Sequence, residues 1–167
     1  SHNFSFLPSS SDHVARLIAA RGGKVTPETL PYLDDILVVL EKAWPPAQQN
    51  PDVLLHGDFW PGNIICQDGR ITGIIDWEAA KTGDPLADLA VSRTEVLWAF
   101  GQGAREQFTD HYVRDAKLNL GALPYWDLYT ALRHVNAFAG WAAGHPNEKS
   151  MRDGLHCLVD QVLRQVQ

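Results

Sequence analysis

The chain has few of the residues that would staple it or anchor it. Its 167 residues include two cysteines, Cys66 and Cys157, and they form no C-x-x-C pair. A disulfide framework is therefore excluded, and both read as buried reduced thiols, Cys66 within an expected strand. Seven histidines are scattered without the paired spacing of a zinc site. No apolar run is long enough to span a bilayer, and the first residues lack the charged and hydrophobic regions of a signal peptide, so the chain reads as cytoplasmic with no membrane partner. Lysine and arginine number 14 against 20 acids, for a net charge of -6, and no basic cluster breaks the pattern. Nucleic acid, which is held by cations that neutralise phosphates, is excluded as a partner. Neither G-x-G-x-x-G nor G-x-x-x-x-G-K-[ST] occurs, and there is no internal repeat.

What is present suffices for one core. A hydrophobic content of 45% over this length predicts a single domain, residues 1–167. Ser9-Ser10-Ser11 caps a short helix that ends at Gly22-Gly23. Thr26-Pro27 opens a second with Leu30, Leu33, Leu37 and Leu40 on one face. Pro45-Pro46 closes it before the strand Val53-Leu54-Leu55. Beyond residue 80, Asp84 caps a helix whose first residue is Pro85, another spans residues 104–116, and Pro124 starts a long one in which Leu128, Leu132, Val135 and Ala139 share a face with Phe138 and Trp141 around it. A last helix carries Met151, Leu155, Leu158, Val162 and Val166. The class is α+β, mainly α: five or six helices around one small β-hairpin.

The polar residues interrupt that hairpin at telling places. Leu54-Leu55-His56-Gly57-Asp58-Phe59-Trp60-Pro61-Gly62-Asn63-Ile64-Ile65 is answered by Ile74-Ile75-Asp76-Trp77-Glu78. Between them, Asp68-Gly69 is flanked by β-branched runs, and glycine accepts the positive φ of a tight hairpin turn. Folding there sets Ile64-Ile65 beside Ile71 to Ile75 and makes neighbours of Asn63 and Asp76. Asp58 and Asn63 also stand in the spacing H-x-D-x-x-x-x-N of kinase catalytic loops, with Asp76 in the place of a second, metal-binding acid. Phosphoryl transfer needs a carboxylate facing the attacking hydroxyl, and oxygen ligands for the magnesium that neutralises phosphate charge. Asp58 suits the first task, Asn63 and Asp76 the second.

These motifs, with Gly83-Asp84-Pro85 and Asp88-Leu89-Ala90 after them, closely resemble the aminoglycoside phosphotransferase and choline kinase-like family over residues 53–91. The resemblance implies the C-terminal lobe of a protein kinase-like fold. It implies transfer of the ATP γ-phosphate to a hydroxyl of a small molecule, with Asp58 as base, Asn63 and Asp76 as Mg2+ ligands, and His56, Asp84 and Asp88 in support. Asp88 would brace the catalytic loop through backbone hydrogen bonds. Trp77-Glu78 stands where protein kinases have Phe-Gly, which favours the small-molecule branch.

The family's nucleotide-binding lobe, with its glycine-rich loop and phosphate-pairing lysine, has no counterpart in the 55 residues before His56. Lys24 reads as a solvated loop residue. The expectation is a C-terminal lobe that turns over little by itself and self-associates through the face where the other lobe docks. Trp60 and Glu78 are possible acceptor contacts. Glu78, Asp115, Asp127 and Glu148 read by default as acids on solvated helix faces. Two other readings stand beside the enzyme: a non-catalytic relic that binds a metabolite or partner, and a metal-dependent hydrolase using Asp58 and Asp76.

Overall fold

A computed structural model describes residues 6–26, 28–141 and 144–166, and the side chains of residues 137–141 lie outside that description. The expected faces of Phe138, Ala139 and Trp141, and the opening role of Pro27, fall outside the described residues. The chain divides into two compact units, Ser1–Ser10 with Asn50–Leu118, and Ser11–Gln49 with Asn119–Gln167. No helix among the described residues is long and apolar enough to cross a membrane.

The first unit carries the strands. β1 (Val53–Leu55) pairs antiparallel with β4 (Lys81–Gly83) in the register Val53↔Gly83, Leu54↔Thr82 and Leu55↔Lys81. The Thr82 N–H donates to the Pro8 carbonyl and ties the incoming chain to this pair. Sequence reading missed this second sheet, because three-residue strands 25 or more positions apart leave no local turn signal. The expected hairpin is present as β2 (Ile64–Gln67) and β3 (Arg70–Ile74), running from Ile64↔Ile74 to Gln67↔Arg70 with a bulge between Ile65 and Cys66. Its corner has φ 51° at Asp68 and 73° at Gly69, the two left-handed residues that an Asp-Gly turn provides. α3 (Leu86–Phe100) and α4 (Gln102–Ala116) complete the unit, joined at Gly101, whose φ of 85° reverses the chain between them. α3 begins one residue after Pro85 rather than on it, and α4 two residues before Ala104.

The second unit is helical, with α1 (Ser10–Ala19), α2 (Leu33–Ala43), α5 (Leu123–Trp141) and α6 (Glu148–Val166). Val14, Leu30, Ile36, Leu37, Leu40, Leu128, Leu132, Leu155 and Leu158 are buried, so the predicted apolar stripes do line a core. α2 starts later than expected. Thr26 closes only a separate turn, its carbonyl accepting from the Thr29 and Leu30 N–H groups, and the regular helix waits until Leu33. Pro31 has no N–H to give a continuous helix and disfavours helical backbone at the residue before it.

Three further expectations are corrected. Cys66 and Cys157 are free thiols but exposed, because Cys66 lies in a two-stranded hairpin whose strands are largely exposed and Cys157 on the outer side of α6. Asp127 is buried, not solvated: α5 is covered on all sides here, and the acid sits in an unbroken run of buried residues from Trp126 to Leu132. Glu148 is half-buried and tied down, accepting from the Gly144 N–H and from Arg152, which hold its carboxyl below the usual range, the Gly144 bond contributing most. Asp115 and Glu78 are exposed.

Candidate active site

The loop between β1 and β2 is held down on every side by α3 and by the strand end across from it. Asp88, in the first turn of α3, takes both backbone donors that precede Asp58: the His56 N–H reaches Oδ2 at 2.6 Å and the Gly57 N–H reaches Oδ1 at 2.8 Å. A carboxylate on an apolar helix face is thus fully used by the backbone in front of it, which answers what an acid does among Leu86, Leu89 and Ala90. One turn on, the Ser92 hydroxyl lies 2.9 Å from the Phe59 carbonyl. Gly57 has φ +80°, and a Cβ there would sit 2.1 Å from the Ala79 carbonyl oxygen. No side chain fits between the loop and the segment after Asp76.

His56 joins the two halves of the site. It is buried, with 3% of its surface exposed. Nε2 lies 2.8 Å from the Ile75 carbonyl, and the Asp58 N–H points at Nδ1, 3.3 Å away. A carbonyl only accepts, so the ring hydrogen is on Nε2 and Nδ1 is left to accept. Trp77 and Phe59 close over the ring, with centroids 4.6 Å and 5.8 Å from it.

The hairpin register sets Asn63 opposite Ile75, one residue before Asp76. The Ile75 N–H donates to the Asn63 carbonyl at 3.0 Å, one residue beyond the last strand pair, so Asp76 follows directly on the residue opposite Asn63. Asn63 closes a 3₁₀ turn at Pro61–Asn63 and is buried, and its Nδ2 donates to the Asp58 backbone carbonyl at 2.9 Å. With the nitrogen so engaged, Oδ1 remains as the acceptor of the amide. Asp76 has φ 65° and ψ 60°, a left-handed backbone that few residues other than glycine adopt. Its side chain is exposed, and no protein group among the described residues bonds the carboxylate. Asp58 is half-buried.

The remaining predicted residues separate into two sets. Asp84 is buried and accepts from the Asn50 N–H, the Asn50 Nδ2 and the Leu86 N–H at 2.9, 3.0 and 2.9 Å, so it fixes the start of α3 and the approach to β1. Trp60 and Glu78 are exposed beside the loop, the Trp60 ring lying over Gly62. Tyr112 of α4 has its phenol pushed up by burial, with the Asp88 and Asp84 carboxylates adding to the effect. Sequence reading missed Asn50 and Ser92. Asn50 left no signal, being 34 residues from Asp84. Ser92 did leave one, since it stands four residues after Asp88 and therefore on the same helix face.

Asn63 and Asp76 together offer a hard cation one amide oxygen and one unpaired carboxylate, a donor set that fits magnesium, which retains waters and phosphate oxygens as its other ligands. Among the described residues no group of three or more His, Cys, Asp or Glu stands together that could hold a metal. A cation here would rest on those two protein oxygens.

The fold is the kinase-like one of an aminoglycoside phosphotransferase. The chain superposes with a TM-score of 0.66 on a thermostable mutant of aminoglycoside phosphotransferase APH(4)-Ia solved with ADP and hygromycin B, at 20% identity, over 93% of this chain and 52% of that one. The chain belongs to the phosphotransferase enzyme family, whose sequence pattern matches residues 4–136. It is 34% identical over 82 residues to acyl-CoA dehydrogenase family member 11 of Gallus gallus, covering 45% of this chain and 10% of that protein. It is 35% identical over 81 residues to homoserine kinase of Gluconacetobacter diazotrophicus, covering 48% of this chain and 25% of that protein. The chain thus spans a quarter or less of the length of these two relatives.

Proposed function

We propose that residues 1–167 form the catalytic, acceptor-facing lobe of an ATP-dependent kinase that phosphorylates a hydroxyl group on a small molecule. The observation that carries this is the shared anchoring of three oxygen-bearing side chains. Asp58 and Asn63 are tied within one loop, and Asp76 is tied to that loop through Ile75 by both Asn63 and His56. In this reading Asp58 accepts the proton of the acceptor hydroxyl, while Asn63 Oδ1 and the Asp76 carboxylate would hold Mg2+. When bound, that ion would neutralise phosphate charge as it builds. Homoserine kinase, and hygromycin-B 4-O-kinase of Escherichia coli, which is 34% identical over 70 residues, are named for acceptors that carry an alcohol, and they support the acceptor class.

The test is a magnesium titration of ATP-dependent transfer to a panel of amino alcohols, aminoglycosides and sugars, using the protein with its nucleotide lobe. Asp76→Asn keeps the size but removes the charge. It should raise the half-saturating Mg2+ by about 100-fold, the upper end of the 10- to 100-fold usual for residues that only support a ligand. An unshifted titration takes Asp76 out of the metal site.

The nucleotide lobe itself is proposed to dock over the hairpin. Ile65, Ile71, Ile74, Ile75 and Trp77 expose between 39% and 65% of their surface there, a density of apolar side chains that monomeric surfaces seldom leave open. Residues 1–167 alone should therefore transfer little and associate with themselves. Sedimentation velocity should show dimers or larger species for this chain, and Ile71→Lys should return it to monomer; a monodisperse monomer before the change rules the idea out.

A further inference from the structure

We propose that Ser92 is a positioning residue that holds the Asp58 loop from its C-terminal side, completing a two-point clamp of which Asp88 is the other half. The inference rests on the reading of Asp58 given above. Nothing in the spacing of the motifs required it.

Asp88 and Ser92 are four residues apart on α3 and face the same loop with opposite chemistry. The carboxylate takes the N–H groups of His56 and Gly57, on the N-terminal side of Asp58. The hydroxyl lies 2.9 Å from the carbonyl of Phe59, on the C-terminal side. An acceptor and a donor, one helical turn apart, thus straddle Asp58 and bond the backbone in the order N–H, N–H, C=O. Ser92 Oγ is also 2.9 Å from the Asp88 carbonyl. That carbonyl already stands in the helix's own hydrogen-bond ladder, whereas among the described residues no other donor reaches the Phe59 carbonyl. The hydroxyl hydrogen therefore matters most to Phe59. Ser92 is buried, with 4% of its surface exposed, so water does not readily replace it. Without the tether, the Phe59 peptide can rotate, and the Asp58 side chain would turn with the backbone that follows it.

The experiment compares Ser92→Ala, the nearly isosteric weak donor Ser92→Cys and the hydroxyl-retaining Ser92→Thr in the transfer-competent protein, each also combined with Asp58→Asn. A displacement of the reacting group on the ångström scale costs up to about 100-fold in rate. The Ala and Cys variants should lose about 10- to 100-fold in kcat, with the KM for ATP within about twofold, and Thr should recover most of the loss. In the Asp58→Asn background the same changes should do nothing further, since no base is left to position. An unchanged kcat, or an undiminished loss in that background, overturns the proposal. Should Asp58→Asn itself transfer normally, the catalytic reading fails instead, and hydrogen exchange of the 56–63 segment then decides the tether. Faster exchange there in Ser92→Ala, with other segments unchanged, keeps the clamp; unchanged exchange removes it.

Discussion

Asp58→Asn is expected to cut ATP-dependent transfer by about 10³- to 10⁴-fold while leaving the fold and the KM for ATP nearly as they were. General acid–base catalysis by a positioned side chain contributes on the order of 10² to 10⁴ in rate. The upper part of that range is expected here because the amide also removes the negative charge that orients the acceptor hydroxyl. The fold should survive because the backbone of Asp58 is held at both ends whatever its side chain: its N–H reaches His56 Nδ1, and its carbonyl accepts from Asn63. Steady-state kinetics with saturating Mg2+ and a thermal melt of the same preparation separate the two effects. A variant that folds normally and still transfers at the parent rate removes Asp58 from the base role.

Asp88→Ala should cost the most stability. It deletes two short charge-assisted hydrogen bonds at 2.6 and 2.8 Å and leaves the His56 and Gly57 N–H groups facing an apolar helix. Bonds to charged groups contribute about 1.5–3 kcal/mol each, so the loss is about 3–6 kcal/mol, a large part of the roughly 5–15 kcal/mol that holds a domain together. Asp88→Asn should be nearly as harmful, because one end of the amide would present its own N–H groups to a backbone N–H. Urea titration of the parent and both variants measures this. A shift below about 1 kcal/mol for Asp88→Ala would mean that water or a rearranged loop already serves those N–H groups.

The hairpin was legible because its information is local. Asp68-Gly69 is a turn by its own backbone chemistry, and folding the β-branched runs on both sides of it back on each other brings Asn63 to Ile75. The spacing of Asp58, Asn63 and Asp76 could be read in the same way, since the chemistry it serves constrains residue types over a short stretch. β1 with β4, the Asn50–Asp84 bonds and the late start of α2 could not be read so easily. The first two join segments some thirty residues apart, and helix propensity alone does not say how far Pro31 delays regular structure. Asp127 shows the same limit: polarity predicted solvent, but packing on all sides of α5 decided burial.

The sequence by itself determined which side chains stand at the ends of one hairpin and the helical character of the remainder, because turn chemistry and apolar periodicity act between near neighbours. Only the tertiary structure decided how that loop is held. The two oxygens of Asp88, the hydroxyl of Ser92 and the two nitrogens of His56 take hold of backbone groups on the loop and on the strand end opposite it. Such bonds follow from where a helix is packed, and backbone donors and acceptors are alike in every residue, so spacing can set Asp88 and Ser92 on one helix face without saying which backbone groups they take.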